Sequence, residues 1–168
     1  MASVDITGVR LNTGFQSGYY LSAYDINTQK INTALTFQTV NISNIVFSNG
    51  ITINNGSEIT FAYAGRYNIQ FSLQVTNTNQ QLHEFYLYLS KNTNPVAETS
   101  SVVTIYPLHG GVAGHNIAAW NFFVTAVAGD FYELVWGQND KDVQIEYIGV
   151  PVVGIPAAPS VILTVSQI

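Results

Sequence analysis
The chain has 168 residues, of which 47% are hydrophobic and only 9% charged, with a net charge of -5. This is enough apolar material for one domain with its own core, whereas five Lys and Arg are too few for a basic stripe, which excludes a nucleic-acid backbone as partner. Cysteine is absent, so neither a disulfide frame nor a thiolate metal site can form.

Ordinary soluble domains are roughly a quarter charged; here polarity comes instead from Asn, Gln, Ser and Thr. At the N-terminus, "MASVDITGVRLNTGF" has no apolar core region and carries Asp5, so it does not read as a secretory signal. Residues 1–17 are weakly periodic and contain Gly8 and Gly14. They are expected to form an extended arm outside a head domain of residues 18–168, with Val9, Leu11 and Phe15 as its apolar contacts.

From residue 18 onward, short β-rich runs alternate with turn signals, and no helical periodicity is sustained. The pattern predicts strands over 19–25, 34–40, 44–48, 57–63, 66–76, 83–90, 101–106, 116–126, 131–137, 143–149 and 160–167, hence an all-β sandwich or barrel. Asn49-Gly50 and Asn55-Gly56 are placed where tight turns need a positive φ. Gly65 and Gly129 are expected in conformations that a Cβ disfavours. The apolar tract from Tyr147 to Val165 is long enough to span a membrane, but Pro151, Pro156 and Pro159 would break a helix three times, so strand–loop–strand is expected and no membrane partner.

The longest predicted strand poses the central question. Tyr67, Ile69, Phe71, Leu73 and Val75 alternate with Asn68, Gln70, Ser72, Gln74 and Thr76, as in a half-buried strand. The polar face carries no charge, although strands facing water usually have some Lys or Glu.

Candidate chemistry is sparse. His109 and His115 flank "GGVAG" at a spacing that suits neither a helical face nor adjacent strand positions for a metal pair. No Lys or helix-forming run follows these glycines, so they do not read as a phosphate cradle. Asp140 and Asp142 in "NDKD" could meet a calcium ion at a loop tip, as an alternative to simple solvation. No Ser/His/Asp set or nucleophile elbow is identifiable. Trp120 and Trp136 could line a sugar site, but their place inside strand patterns favours packing. The acceptor motifs at Asn41 and Asn55 are discounted without a secretion signal. The expectation is a protein that is not an enzyme and needs no cofactor or metal.

"NGSEITFAYAGRYNIQF" resembles the globular-head domain of the complement and tumour-necrosis-factor superfamily, through Ile59, Gly65, Tyr67, Ile69 and Phe71. "AAWNFFVTAVAGDFYELVW" resembles its strand, Gly-Asp turn and strand, with Gly129-Asp130 at the turn. The first strand "YYLSAYD" and the closing strand "PSVILTVSQ" sit where that family has them. The whole chain also resembles small virion proteins of tailed bacteriophages, especially those infecting cyanobacteria, through "AGRYNIQFSLQV", "AAWNFFVTAVAGDFYELVW" and "IPAAPSVILTVSQI". Unlike the animal proteins it lacks a collagen-like stalk and Cys.

The resemblance implies a ten-stranded jelly-roll sandwich that forms a homotrimer. Asn68, Gln70, Ser72, Asn121 and Phe123 are then expected at the trimer interface, where three copies of an amide can pair but three like charges would repel. It further implies a virion structural protein assembled in the host cytoplasm and carried on the virion surface. As a capsid decoration (cement) protein, it would contact the major capsid protein or other virion proteins through its arm. The alternative is the tip of a tail fibre that binds a host surface glycan through loops 77–82, 91–99, 107–115 and 138–142.

Overall fold
The computed structural model describes residues 18–150 and 153–168. The predicted arm over 1–17, with Val9, Leu11 and Phe15, lies outside them. Among the described residues there is no helix, and fourteen strands follow in chain order: β1 (Tyr20–Asp25), β2 (Gln29–Lys30), β3 (Phe37–Thr39), β4 (Asn44–Asn49), β5 (Ile51–Asn54), β6 (Glu58–Phe61), β7 (Gly65–Asn77), β8 (His83–Lys91), β9 (Asn94–Pro95), β10 (Ser101–Ile105), β11 (Gly114–Ala126), β12 (Phe131–Gln138), β13 (Val143–Ile145) and β14 (Val161–Gln167).

They form two seven-stranded antiparallel sheets. The first runs β2-β13-β7-β14-β1-β4. β11 lies along the other side of β7 for its full length, from Gly114↔Asn77 to Ala126↔Gly65. The second runs β10-β8-β12-β6-β5, with β3 also paired to β12 and β9 to β8. The long-range pairing is nested: β1 with β14, β6 with β12, β7 with β11 and β8 with β10.

The core lies between the sheets. Tyr67, Ile69, Phe71, Leu73 and Val75 of β7 are buried and meet Leu21 and Ala23 of β1, Val161, Leu163 and Val165 of β14, and Phe85, Leu87, Leu89, Leu134 and Trp136 of the second sheet in one cluster. Each fully buried aliphatic or aromatic side chain contributes about 1.5–3 kcal/mol, so the period-two alternation by itself fixes which face of each strand turns inward. The two Trp are packing residues: Trp136 is buried beside Phe85, and Trp120 is partly buried edge-on to Phe71.

Local chemistry explains the turns. Asn55 and Gly56, with φ of 50° and 79°, turn the β5–β6 hairpin. Gly50, with φ of 69°, lets the chain cross from β4 in one sheet to β5 in the other. A Cβ there would lie 2.4 Å from the Tyr19 ring, which stacks on Tyr63. Gly129 has φ of 88°, as expected. Gly65 departs from expectation: its φ is not in the left-handed region, and the nearest obstacle to a Cβ is the mobile end of the Gln167 side chain, its amide nitrogen 2.7 Å away.

Strand boundaries differ where backbone geometry overrides side-chain pattern. Leu35 has φ of 57°, which confines the predicted 34–40 strand to β3. The predicted 143–149 strand ends at Ile145. The short β2, β5 and β9 were not predicted. No helix among the described residues is long and apolar enough to cross a membrane.

Candidate functional site
The outer face of the first sheet carries the residues that sequence placed at an interface. Register sets them side by side across five strands. Phe123, Asn68, Ser166, Tyr20 and Asn49 form one row; Asn121, Gln70, Thr164, Ser22 and Phe47 the next; Ala119, Ser72, Ile162, Tyr24 and Asn44 the third. Asn121 donates its Nδ2–H to Asn68 Oδ1 at 2.9 Å. Gln70 and Asn121 are exposed, and Ser72 is partly so.

Among the described residues, these rows contain no Asp, Glu, Lys or Arg. Charge begins only at the margins, with Arg66 opposite Thr125 at one end and Glu146 beside His115 at the other. The same face also carries large apolar groups: within the rows Phe123 is 69% exposed, Phe47 56% and Ile162 45%, and Ile117, opposite Gln74, is 57% exposed. Between them, small side chains at Ser72 and Ala119 leave a depression of about 280 Å³, bordered by Gln70, Ile162 and Thr164. Large exposed apolar groups spread through a neutral polar face make this surface the candidate for an interaction site.

All five predicted interface residues therefore share one face. The contributions of β14 and β1, namely Ile162, Thr164, Ser22 and Tyr24, were not singled out in the sequence. Their signal was available in the alternation of "SVILTVSQ", but its meaning depends on β14 lying next to β7.

The other candidates do not assemble. Asp140 Oδ1 accepts the Asp142 N–H at 2.9 Å, and Asp142 is paired with Lys141 Nζ at 3.0 Å and with Asn79. Lys141 holds the Asp142 carboxyl below its ordinary range. His109 sits in a small bridge with Val112, whereas His115 stands on β11 next to Thr76, with Nδ1 3.2 Å from Oγ1. Among the described residues, no cluster of three or more His, Asp or Glu is placed to hold a metal ion.

The second sheet's outer face is different. Glu133 is buried, accepting hydrogen bonds from the Ser57 hydroxyl at 2.8 Å and the Ser90 hydroxyl at 3.4 Å. Tyr86 donates its hydroxyl to Glu84 at 2.5 Å, which raises the phenol pKa. At the Gly-Asp turn, Lys91 Nζ lies 2.7 Å from Asp130 Oδ2. Together with the Val127 N–H and the Asn92 amide, it lowers the Asp130 pKa to about 2.

No protein-family model matches the chain, and no curated protein matches it.

Proposed function
We propose that this chain is a bacteriophage virion structural protein, a homotrimeric capsid decoration protein without enzymatic activity that stabilises the shell. The observation that carries this reading is the outer face of the first sheet: neutral, amide-rich and edged by exposed Phe123, Ile117 and Ile162. Two further copies of the chain are its occupants. Around a threefold axis each amide meets its own copies, donating to one and accepting from another, and no charge has to be desolvated.

The nested pairing supports a jelly roll, in which a long hairpin is rolled so that its first strand meets its last. Residues 1–17 serve as the attachment arm, with Val9, Leu11 and Phe15 contacting capsid subunits. A trimer that bridges several capsid proteins binds only the assembled shell and so stabilises it by linkage.

Native mass spectrometry should give three times the 18.4 kDa chain mass. A cryo-electron-microscopy reconstruction of the virion should show trimeric knobs over the capsid lattice, and a chain lacking 1–17 should remain a trimer yet fail to join particles. Density confined to a fibre tip, or a monomer at micromolar concentration, would overturn the proposal.

A further inference from the structure
A second site lies away from the neutral face. The end of β1, the turn into β2, β3, the 41–43 segment and the β5–β6 turn surround a cleft of about 520 Å³. That volume is in the range of small-molecule sites and far larger than one ion needs. Apart from Ile42 and Gly56, every lining residue has a polar side chain.

The floor is built rather than incidental. Gln29 is buried and fixed at both ends of its amide, donating Nε2–H to the Asn41 carbonyl and accepting the Asn41 N–H, each at 2.9 Å. Asp25 is 1% exposed, and its Oδ1 accepts the Asn27 N–H at 2.6 Å and the Asn27 Nδ2–H at 2.9 Å. Its Oδ2 is buried without any hydrogen-bond partner. A buried carboxylate oxygen without a donor is costly, and here it belongs to a residue that lines an open cleft, so a ligand's donor brought to it would relieve that cost.

The rest of the lining specifies the ligand. Asp25 is the one acidic side chain and Lys30 the one basic side chain of the cleft, so their charges cancel and a neutral ligand is matched. Asn27, with its Nδ2 turned to Asp25, presents an acceptor; Ser43 and Gln38 can both donate and accept. Such a set is complementary to hydroxyl groups, which also do both. A metal ion is disfavoured by the single carboxylate and the neighbouring ammonium.

We infer that this cleft binds a sugar residue, with Asp25 Oδ2 accepting a hydroxyl hydrogen and Lys30, Gln38 and Ser43 contacting the other oxygens. The site is independent of the trimer proposal, since none of these residues belongs to the neutral rows.

The test is titration of the intact protein with glucose, galactose, mannose and N-acetylglucosamine, and separately with calcium chloride, while backbone amide resonances are followed. At least one sugar should shift the amides of Asn27, Lys30, Gln38 and Gly56. Ser43→Trp, which fills the cleft from an exposed position, and Asp25→Asn should each weaken that binding by at least about tenfold. If Asp25→Asn fails to fold, Ser43→Trp alone decides. Gln70→Lys, on the neutral face, should leave sugar binding unchanged even where it dissociates the trimer. No shift with any of the four sugars, shifts elsewhere, undiminished binding by Ser43→Trp, or a response at these amides to calcium alone would overturn the inference.

Discussion

The two sheets turn very different faces outward, although their inner faces are built alike. The second sheet deals with its outer polar groups internally: Glu133 takes the Ser57 and Ser90 hydroxyls, Tyr86 bonds Glu84, and the Phe37 ring lies over Gly137, near Tyr86 and Tyr88. The first sheet leaves Gln70, Thr164, Phe123 and Ile117 facing outward, and its amides pair only locally, as Asn121 does with Asn68. A face that is satisfied within its own chain can remain in water. One made of neutral groups and exposed aromatic rings is suited to burial against copies of itself.

The largest expected effect comes from putting charge on the neutral face. Gln70→Lys or Asn68→Glu places three like charges near one axis of the proposed trimer and should weaken association by at least about a hundredfold, or roughly 2.7 kcal/mol. Sedimentation should then show monomer. Glu58→Lys on the second sheet should leave the mass unchanged; if both substitutions behave alike, the contrast between the faces has no bearing on assembly.

Next in size is Gly137→Ala. The new methyl would sit 2.7 Å from the Phe37 ring and from the Thr36 carbonyl, so β3 must shift. The expected cost is about 1–3 kcal/mol, read as a lower melting temperature with no change in oligomeric mass. Gly65→Ala should cost less, because its obstacle is the far end of the Gln167 side chain, which can swing aside.

The smallest effect concerns acid. Asp130 has a folded pKa of about 2, below its ordinary 3.8. The unfolded chain therefore binds the proton more readily, and the stabilisation is present above pH 4 and lost as pH falls toward 2. Asp130→Asn should flatten the fall in melting temperature between pH 4 and pH 2 and leave oligomeric mass at neutral pH unaltered. An unchanged acid slope would show that the Lys91–Asp130 pair contributes nothing net.

The parts of this arrangement that were legible in the sequence are those set by local pattern. β7 was readable because five apolar residues alternate with five neutral polar ones, and the β5–β6 turn because Asn55-Gly56 has few other conformational uses. β2 was not: Gln29 and Lys30 carry no strand pattern and pair only because β13 passes beside them. The five predicted interface residues lie on one face because β7 and β11 pair along their whole length. The share of that face contributed by β14 and β1 depends on topology, which periodicity does not encode. The cleft was invisible for a similar reason, since Asp25 of the first sheet, Gln38 of the second and Gly56 of the β5–β6 turn come together only when the chain crosses between the sheets, after β2 and again at Gly50.

β14, far from β1 along the chain, occupies the middle of the neutral face. β14 lies between β1 and β7, so Tyr20, which has Asn49 on one side, finds its other partner only at Ser166. The sheet cannot close until β14 has been made, and distant strand pairing of this kind is slow. A chain cut short before β14 would lack Ile162, Thr164 and Ser166 and present a gap in place of the proposed interface. Topology would thereby act as a proofreading step, admitting to the proposed assembly only chains that carry β14.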